Sequence, residues 1–361
     1  MRKLRIAILA SNFIRIPPRP KDIPPLCSGA PEYIISLLTE GLVKRGHDVT
    51  LFASGDSKTS AKLISVTKRS TGVDPKIGFK PSGSRPHIFY ELILTSKCFQ
   101  LSKKGKFDVI NSHIDMSSVP FASLIKTPVV TTLHSDLVGH RKFILEYFGK
   151  TQYFVSISNN QRKHSPSLKY AGTVYNAVDF EKIPLGLKPK NYLVIMGRIH
   201  PCKGIKEAIQ VAKKVNLPLI IMGSHDEKNL YWKQDIKPEV DGKKIIYKGF
   251  IPRDEMFKIL REAKAFIFPL QWDEPFGITM IESMACGTPV VTFNRGSIPE
   301  VVNDGKTGYI VNNLNEMADA VEKINQIDRN FCRQWVKDNF SIEKMVENYE
   351  NIFYRILKIK R

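Results

Sequence analysis

The chain has 361 residues, of which 42% are hydrophobic and 25% are charged, proportions typical of a globular protein with room for two domains. Five scattered cysteines without a Cys-x-x-Cys pair argue against a disulfide framework or a zinc site and favour a reducing cytoplasm. The opening apolar run is too short for a signal peptide, and no run approaches the ~18 apolar residues of a membrane span.

The net charge is +20 and is unevenly distributed. Residues 1–180 carry 26 lysines and arginines against 12 acidic residues. Such an excess suits contact with anionic lipid head groups or another polyanion, and it equally suits a lysine-rich, solvated surface. Charge alone does not choose between these two interpretations.

Strands and helices alternate from the start of the chain. LRIAILAS predicts a strand, PEYIISLLTEGLVKRG a helix and HDVTLFAS a second strand, which together form a βαβ unit. The later apolar runs FDVINSH, TPVVTTLH, YFVSIS and TVYNAV end in polar residues, as expected where strand ends line a crevice. The crevice candidates are His113, His134, Ser158 and Asn176.

The segment EKIPLGLKPKN, around residues 180–190, lacks a periodic apolar pattern and predicts a linker. A second series of strands and helices follows it. Two α/β domains with a ligand in the cleft between them are therefore expected. The last stretch, from about residue 342, has apolar residues at helical spacing and predicts an amphipathic helix that packs back on the body.

Two acids stand in the stretch DEPFGITMIESMACGTPVV, which predicts a loop followed by a buried helix. If both acids lie on the first turns of that helix, eight residues separate Glu274 from Glu282 by roughly 12 Å. Retaining glycosidases hold their two carboxyls at about 5 to 5.5 Å, so a hydrolytic pair is disfavoured. The two acids instead suit the two ends of an elongated ligand, with a phosphate near the backbone N–H groups of Phe276, Gly277 and Ile278.

A second motif, MGRIHPCKG, follows a predicted strand. Gly197 allows close backbone approach, and Arg198 and Lys203 bring two cations to one loop, a combination that suits a diphosphate. Exposed lysines and arginines are usually only solvated, so the loop is weak evidence alone. Its combination with the Glu-Pro-Phe-Gly-x4-Glu motif about 70 residues later is far more specific.

These motifs, together with ACGTPVV and GSIPEVVNDGKTGYIV, resemble the retaining glycosyltransferases of the GT-B fold, family 4. RGHDVTLFASGDS, FDVINSH, TTLHSD, VSISNNQR and YNAVDFEKI extend the resemblance through the N-terminal half. It implies an α/β fold of two Rossmann-like domains facing a central cleft. Residues 1–178 would form the acceptor-side domain, residues 179–341 the nucleotide-sugar-binding domain, and the helix at about 342–361 would pack on the first.

The resemblance also implies a role for each motif residue. Arg198 and Lys203 would hold the donor diphosphate and stabilise its growing charge, and Glu274 would bind hydroxyls of the donor sugar. The remaining donor contacts would be the backbone of Phe276, Gly277 and Ile278 for sugar and phosphate, Glu282 for the ribose, and the backbone near Phe250 and Ile251 for the nucleobase.

The N-terminal half matches the family more loosely. Gly29 stands at the first loop-to-helix junction, but Ala30 replaces a second glycine there, and its methyl group narrows the backbone approach to a phosphate or acceptor. The proline-rich FIRIPPRPKDIPPLCSG is expected to be a long acceptor-side loop. His134 falls where relatives carry a histidine near the reaction centre, although a strand-end histidine is often only a hydrogen-bonded structural group.

The function implied is retaining transfer of a hexose, of the glucose, mannose or N-acetylhexosamine type. The donor would be UDP- or GDP-linked, and the hydroxyl acceptor would be, for example, a lipid-linked glycan or surface polysaccharide. Neither a cofactor nor a metal is expected, and the location expected is the cytoplasm, including its membrane surface.

Two alternatives stay open: a nucleotide-sugar epimerase on the same fold, and a basic protein that binds a polyanion or a membrane. A phosphorylase is disfavoured because no sign of a pyridoxal lysine is present. Nucleic acid is not an expected partner, because the basic residues show no aromatic interleaving or known binding motif.

Overall fold

A computed structural model describes residues 2–19, 22–24, 27, 29–74, 76–77, 86–226 and 228–360. The chain divides into two compact units. Unit 1 consists of Met1–Asn176 together with Ile342–Arg361, and unit 2 of Ala177–Ser341. The predicted proline-rich loop lies partly outside the described residues.

Unit 1 is built on a parallel sheet, for which the described residues supply seven strands. The strands are β1 (Arg5–Leu9), β2 (Asp48–Phe52), β3 (Lys62–Ile64), β4 (Val109–Ser112), β5 (Val129–Leu133), β6 (Tyr153–Ser156) and β7 (Tyr170–Thr173). The helices are α1 (Ala30–Lys44), α2 (His87–Lys103), α3 (Asp115–Ser118), α4 (Gly139–Phe148) and α11 (Ile342–Ile356).

Unit 2 repeats the plan with a parallel sheet of six described strands. They are β8 (Leu193–Met196), β9 (Leu219–Met222), β10 (Ile245–Gly249), β11 (Ala265–Phe268), β12 (Val290–Phe293) and β13 (Gly308–Val311). The helices are α5 (Ile205–Lys214), α6 (Arg253–Glu262), α7 (Ile278–Ala285), α8 (Ile298–Val301), α9 (Leu314–Glu322) and α10 (Arg329–Phe340).

The two sheets have the same strand order over the first six strands of each unit. It runs β3-β2-β1-β4-β5-β6-β7 in unit 1 and β10-β9-β8-β11-β12-β13 in unit 2. In each sheet the order reverses between the first and fourth strands of the unit, and such a reversal opens a ligand crevice at the carboxyl ends of the strands. The predicted fold class, two Rossmann-like α/β domains, is confirmed.

The strands are apolar on both faces because helices cover both sides of a parallel sheet. In β1, every residue from Ile6 to Leu9 is fully buried, without the alternation of a half-exposed strand. This part of β1 is therefore a run of consecutive apolar residues, and polar side chains first appear where the strand ends.

Helix α11 packs against α1. A Cβ on Gly41 would lie 2.4 Å from a methyl carbon of Val346, so the close contact of the two helices requires glycine. Glu350, fully buried on α11, lies 2.9 Å from Nε2 of His47. Since Nδ1 of His47 accepts the Leu4 N–H at 3.2 Å, Nε2 carries the proton and donates to Glu350.

The segment predicted as a linker is part of the packing of unit 2. Gly186 N–H donates to the carbonyl of Cys286 at 3.0 Å, and Arg333 donates to the carbonyl of Ile183 at 2.7 Å. This proline- and glycine-containing segment is therefore an ordered connection, whose backbone is bound by the side chain of Arg333.

Candidate functional site

An ion pair between Lys203 and Glu274 lies where the strand order of unit 2 reverses. The two residues follow β8 and β11, and Nζ of Lys203 is 2.5 Å from Oε2 of Glu274. Both side chains are largely buried, with 13% and 12% exposure. Trp272 Nε1 donates to the same carboxylate oxygen at 3.2 Å, and Nζ lies 4.9 Å from the Trp272 ring centroid.

Local backbone geometry brings these side chains together. Gly204 has φ +72, and a Cβ there would lie 1.9 Å from the carbonyl oxygen of Pro269, so the Lys203 loop can press against the end of β11 only with glycine. On the other side, a Cβ on Gly296 would lie 2.5 Å from the backbone nitrogen of Glu274. Gly204 thus lets the Lys203 loop, and Gly296 the loop after β12, pack closely against the segment that runs from Pro269 to Glu274.

Arg198 is exposed, in the same loop as Lys203. Burial, with Arg198 and Lys203 close by, lowers the pKa of His200 between them. Gly197, in contrast, faces the stem of Lys203, whose Cγ would lie 3.4 Å from a Cβ. The loop therefore holds two cations close to His200, and their contact with a diphosphate stays a prediction.

Helix α7 begins later than the sequence predicts, which corrects the assumed geometry of the two acids. Gly277 has φ +85 and caps the helix, which starts at Ile278. Glu274 therefore lies in the preceding loop, and the estimate of roughly 12 Å, made for two acids on one helix, does not apply. Phe276 is 1% exposed, and the first helical turn starts two residues after it.

Glu282 lies inside α7 with 3% exposure. Its Oε1 is 2.6 Å from an Nη of Arg253, at the start of α6. Glu282, the acid predicted to bind the ribose, therefore has a protein cation as its neighbour. The sequence does not predict this contact. Phe250 and Ile251 lie in the turn before α6, and Phe250 is 46% exposed.

In unit 1 the predicted histidines touch. Nδ1 of His113, after β4, lies 2.8 Å from Nε2 of His134, after β5, and their rings stack at 5.1 Å. Nε2 of His113 lies 3.0 Å from Oδ1 of Asn111, whose Nδ2 donates to the Val130 carbonyl and to Thr132. The relay continues from the Thr132 hydroxyl to the hydroxyl of the buried Tyr349 on α11, at 2.9 Å.

This relay determines the histidine tautomers. Burial lowers the pKa of His134 to about 4 and that of His113 well below its usual range, so both rings are neutral near pH 7. Because Oδ1 of Asn111 can only accept, His113 donates from Nε2 and accepts at Nδ1 from His134. His134 therefore keeps an unprotonated Nδ1 that can accept a proton or a hydrogen bond.

The other strand-end candidates differ in role. The Ser158 hydroxyl accepts the backbone N–H of Gln161 at 3.1 Å. The Gln161 amide donates to the carbonyls of Leu133 and Ser135, on either side of His134. Ser158 is thus a structural residue that fixes Gln161, and Gln161 positions the turn of His134. Asn176, 5% exposed, lies at the end of this part of unit 1.

A cavity of about 260 Å³ opens beside the two histidines, within unit 1. Glu32, Glu91, Asp115 and Arg141 contribute to its walls. The first turn of α1 reaches it because Gly29 caps that helix at φ +67, where an added Cβ would lie 2.7 Å from Ile23. None of these four charged residues is among the site residues that the sequence predicts.

The structure thus assembles two polar clusters at strand ends, each within its own unit. Lys203, Glu274 and Arg198 converge in unit 2, and His113 and His134 converge in unit 1. Among the described residues, no group of three His, Cys, Asp or Glu side chains could hold a metal ion, and no helix is long and apolar enough to cross a membrane. The fold and the clusters define the class: a two-unit α/β protein of the GT-B type.

Comparisons with known families and proteins agree with this class. The family model "Glycosyl transferases group 1" matches residues 178–339, and "Glycosyltransferase Family 4" matches residues 31–182. The N-acetyl-alpha-D-glucosaminyl L-malate synthase of Bacillus anthracis is 26% identical, over 89% of this chain and 92% of that protein. The chain therefore belongs to the GT-B glycosyltransferases of the family 4 type, and the predicted enzyme class, a hexosyltransferase, is confirmed.

Solved structures show the same fold. Sucrose-phosphate synthase of Thermosynechococcus elongatus superposes with a TM-score of 0.77 at 16% identity, covering 99% of this chain and 100% of that one. HepE of Anabaena, solved with UDP and glucose, has a TM-score of 0.70 at 15% identity, covering 96% of this chain and 98% of that one.

Proposed function

We propose that this glycosyltransferase moves a hexose from a UDP- or GDP-linked donor to a hydroxyl acceptor with retention of configuration. The observation that carries the proposal is the Lys203–Glu274 pair where the strand order of unit 2 reverses. A cation and a carboxylate held side by side there can bind the two halves of a sugar diphosphate.

Each member of the pair has one role. Lys203, with Arg198, offsets the charge that develops on the diphosphate as the anomeric C–O bond breaks. Glu274 accepts hydrogen bonds from hydroxyls of the sugar. Because Trp272 also donates to Oε2 of Glu274, the carboxylate is held from two sides and loses little freedom when it binds a sugar.

The reaction requires no protein nucleophile. The anomeric carbon loses its bond to the diphosphate and gains one to the acceptor oxygen on the same face. The acceptor proton passes to the departing phosphate oxygen. Arg198 and Lys203 stabilise the resulting diphosphate, as a divalent ion does in other enzymes.

His134 is proposed to accept a hydrogen bond from a substrate hydroxyl at Nδ1, the nitrogen that the Asn111–His113 relay leaves unprotonated. This arrangement suits His134 for orienting the substrate hydroxyl and not for removing its proton, because a group whose pKa is about 4 is a weak base at pH 7. His113 acts through His134, as a positioning residue.

The nucleoside is assigned to the loop before α6 and to α7. The backbone near Phe250 and Ile251 would meet the base, and backbone groups of Phe276, Gly277 and Ile278 would contact sugar and phosphate. Glu282 would accept ribose hydroxyls with the oxygen that does not face Arg253. Gly29, at the start of α1, is assigned to the acceptor side.

UDP is the first donor to test, because HepE, which shares the fold, was solved with UDP and glucose. A lipid-linked glycan or surface polysaccharide is proposed as the acceptor, with the protein in the cytoplasm and in peripheral contact with an anionic membrane. The basic excess of residues 1–180 supports that contact.

The test is a nucleotide-sugar panel, UDP-glucose, UDP-N-acetylglucosamine and GDP-mannose, with binding and donor hydrolysis measured at moderate salt. At least one donor should bind and release its nucleotide. If no donor binds while DNA or anionic vesicles bind in a salt-sensitive manner, the protein is a polyanion binder and the proposal is wrong. Conversion of a nucleotide sugar to its epimer would indicate the epimerase instead.

A further inference from the structure

Exposed lysines line the amino edge of the sheet in unit 1. Because the strands β1, β2, β4, β5 and β6 are parallel, the segments that precede them meet at one edge, opposite the edge that carries His113 and His134. The exposed lysines that lead into β1, β4, β5 and β6 are Lys3, Lys103, Lys104, Lys106, Lys126 and Lys150. In the described part of the chain, none of these six ammonium groups forms an ion pair.

Hydrogen bonds join the segments that carry these lysines. Nη1 of Arg5, at the start of β1, donates to the carbonyl of Gly105 at 2.6 Å. The hydroxyl of Ser102, near the end of α2, donates to the hydroxyl of Thr127 at 2.6 Å. The turns before β4 and β5 are therefore neighbours of each other and of the start of β1. The acid Asp108 at this edge is already held by Arg5, with an N–O distance of 2.7 Å.

The C-terminal helix adds positive charge at the same edge. The hydroxyl of Tyr354 donates to the carbonyl of Arg2 at 2.5 Å, so the end of α11 lies beside the start of β1. Lys358 and Lys360 follow that end and are exposed. The exposed acid Asp48, at the start of β2, does not balance so many cations. This edge is therefore strongly basic.

Two exposed apolar side chains stand among the lysines. Leu124 ends a helical turn just before β5 and is 63% exposed, and Tyr147, near the end of α4 and just before β6, is 73% exposed. Nε2 of Gln152 donates to the carbonyl of Val119 at 3.1 Å, which holds the segment before β6 against the turn that carries Leu124. A leucine in water forgoes the stabilisation of burial. These two side chains and the six lysines form the amino-edge surface.

We infer that the amino-edge surface docks on the anionic head groups of a lipid bilayer, with its lysines at the phosphates and with Leu124 and Tyr147 inserted between the head groups. The inference rests on the membrane contact included in the proposed function and specifies the surface that makes it. It also defines an orientation, because the edge that carries His113 and His134 then faces away from the bilayer.

A bilayer suits both parts of this surface. Each lysine near an anionic leaflet strengthens binding about fivefold, and its long stem lies along apolar surface while the ammonium group stays at the phosphates. Tyrosine is enriched at the level of the head groups. Nucleic acid would attract the lysines, but it would leave Leu124 in water. Charge and apolar insertion together supply the two signals that stable peripheral anchoring requires.

Docking at the amino edge leaves the carboxyl edge open to water. Since β5 has five residues, His134 at its carboxyl end lies roughly 16 Å from the docked edge, at ~3.3 Å per residue. A lipid-linked acceptor must then present its hydroxyl on a glycan that spans this distance. Changes in the amino-edge surface should therefore affect membrane binding and leave donor hydrolysis in solution unchanged.

The experiment measures partition of the full chain onto sedimentable vesicles. One set contains phosphatidylcholine alone, and the other an equimolar mixture of phosphatidylcholine and phosphatidylglycerol. The wild type should bind the anionic vesicles at least about tenfold more strongly than the neutral ones, because several lysines contribute. Added salt should weaken this binding by screening. Donor hydrolysis without vesicles is measured in parallel for every variant.

The charge variants compare the two units. The target variant carries Lys104→Gln, Lys106→Gln, Lys126→Gln and Lys150→Gln, and its partition coefficient should fall about 100-fold or more. Lys126→Glu, a single change at an exposed position, should already lower it about tenfold. The matched control, which should stay within a few-fold of the wild type, has the same charge change at four exposed lysines of unit 2, Lys233→Gln, Lys237→Gln, Lys243→Gln and Lys258→Gln.

The apolar variants test insertion. Leu124→Ser with Tyr147→Ser should lower the partition coefficient about tenfold. Phe89→Ser with Ile93→Ser is the control, since these side chains are 68% and 53% exposed on the first half of α2, whereas the end of α2 lies at the amino edge. Brominated lipid should also quench the emission that Tyr147→Trp adds, because all native tryptophans belong to unit 2.

The outcomes separate this inference from the proposed transfer. Wild-type partition of the target variant, an equal loss in the unit 2 control, a loss confined to the Phe89 and Ile93 variant, or tighter binding of DNA than of anionic vesicles would overturn the docking surface. No vesicle binding by the wild type would overturn the membrane contact as well, while donor hydrolysis left hexose transfer standing. Failure of every donor would overturn the transfer alone, because vesicle binding is measured without a donor.

Discussion

The two strand-end clusters lie at the carboxyl edges of sheets with the same strand order, yet they are chemically different. The cluster in unit 2 is an ion pair, Lys203–Glu274, with Arg198 in the same loop. The cluster in unit 1 is a neutral relay from Tyr349 through Asn111 to His113 and His134. The fold thus fixes where a ligand can bind, and the side chains at the strand ends determine which charge that ligand carries.

This chemical difference agrees with the proposed roles of the two units, donor binding in unit 2 and acceptor binding in unit 1. A cationic loop suits a diphosphate, whose charge increases as the glycosidic bond breaks. A neutral histidine with a fixed orientation suits an uncharged hydroxyl group. Changes in unit 2 should therefore affect donor binding and the chemical step, and changes in unit 1 should affect mainly the acceptor.

The largest effect is expected from removing both cations of unit 2. Arg198→Ala with Lys203→Ala should lower transfer about 10³-fold or more and weaken UDP binding strongly, because the developing charge loses its stabilising partners. Transfer rates and calorimetric UDP titrations measure the effect. The control is Lys206→Ala with Lys213→Ala, two exposed lysines of α5 that pair with Asp235 and Glu239. Equal UDP affinity in the target variant would refute the diphosphate assignment.

Glu274→Gln comes next. Loss of the carboxylate should lower transfer about 10²-fold and leave UDP binding within a few-fold of the wild type, because Glu274 is assigned to the sugar and not to the nucleotide. The comparison of UDP with UDP-sugar affinity is the decisive readout. Wild-type turnover in this variant would remove Glu274 from the sugar site.

His134→Ala should have a smaller effect, a loss of roughly 10- to 100-fold in kcat/KM for the acceptor with UDP affinity unchanged. The reason is that His134 orients a substrate hydroxyl and does not contact the nucleotide. His140→Ala, at an exposed histidine of α4, provides the control. A loss of UDP affinity in His134→Ala would instead place His134 on the donor side and contradict the assignment of donor and acceptor to different units.

A separate effect concerns stability. Burial, with Glu91 nearby, raises the pKa of Glu32 to about 7 from 4.5. The native state therefore holds a proton that the unfolded chain releases, and the stabilising contribution, complete below pH ~4.5, is lost as the pH rises through ~7. Glu32→Gln should gain about 3 kcal/mol in unfolding free energy relative to wild type between pH 4.5 and 8.

Denaturant unfolding at both pH values, with Glu40→Gln in parallel, measures this gain. The buried histidines have the opposite dependence, since the lowered pKa of His134 removes stability as the pH falls from 6.5 to about 4. They are present in both proteins and cancel in the comparison. The same difference between variant and wild type at both pH values would show that folding does not shift the pKa of Glu32.

The sequence predicted the architecture and several strand-end residues because apolar runs that stop at polar residues report directly on a parallel sheet. It predicts that His113 and His134 lie at strand ends. Their contact, however, depends on β4 and β5 being neighbours in the sheet, and the order of strands along the chain does not reveal this. The tautomers follow from Asn111, whose side chain looks unremarkable within a strand.

Local backbone geometry explains the misplaced acid. The sequence allows both acids to lie on one helix, but Gly277, at φ +85, delays the start of α7 and leaves Glu274 in a loop beside Lys203. Contacts between residues distant in the chain, such as Arg253 with Glu282, were equally invisible. Glu32 lies in the first turn of the first predicted helix, and nothing in the sequence indicates that its carboxyl group is buried in a cavity wall.

The central claim is that the Lys203–Glu274 cluster of unit 2 binds a nucleotide sugar. The most direct measurement is calorimetric titration of the wild type, of Glu274→Gln and of the Arg198→Ala, Lys203→Ala double variant with UDP, the sugar nucleotide that the enzyme hydrolyses and its parent nucleoside. The wild type should bind the sugar nucleotide more tightly than UDP, Glu274→Gln should lose that preference, and the double variant should bind UDP no better than the nucleoside. Identical binding profiles for all three proteins would contradict the account.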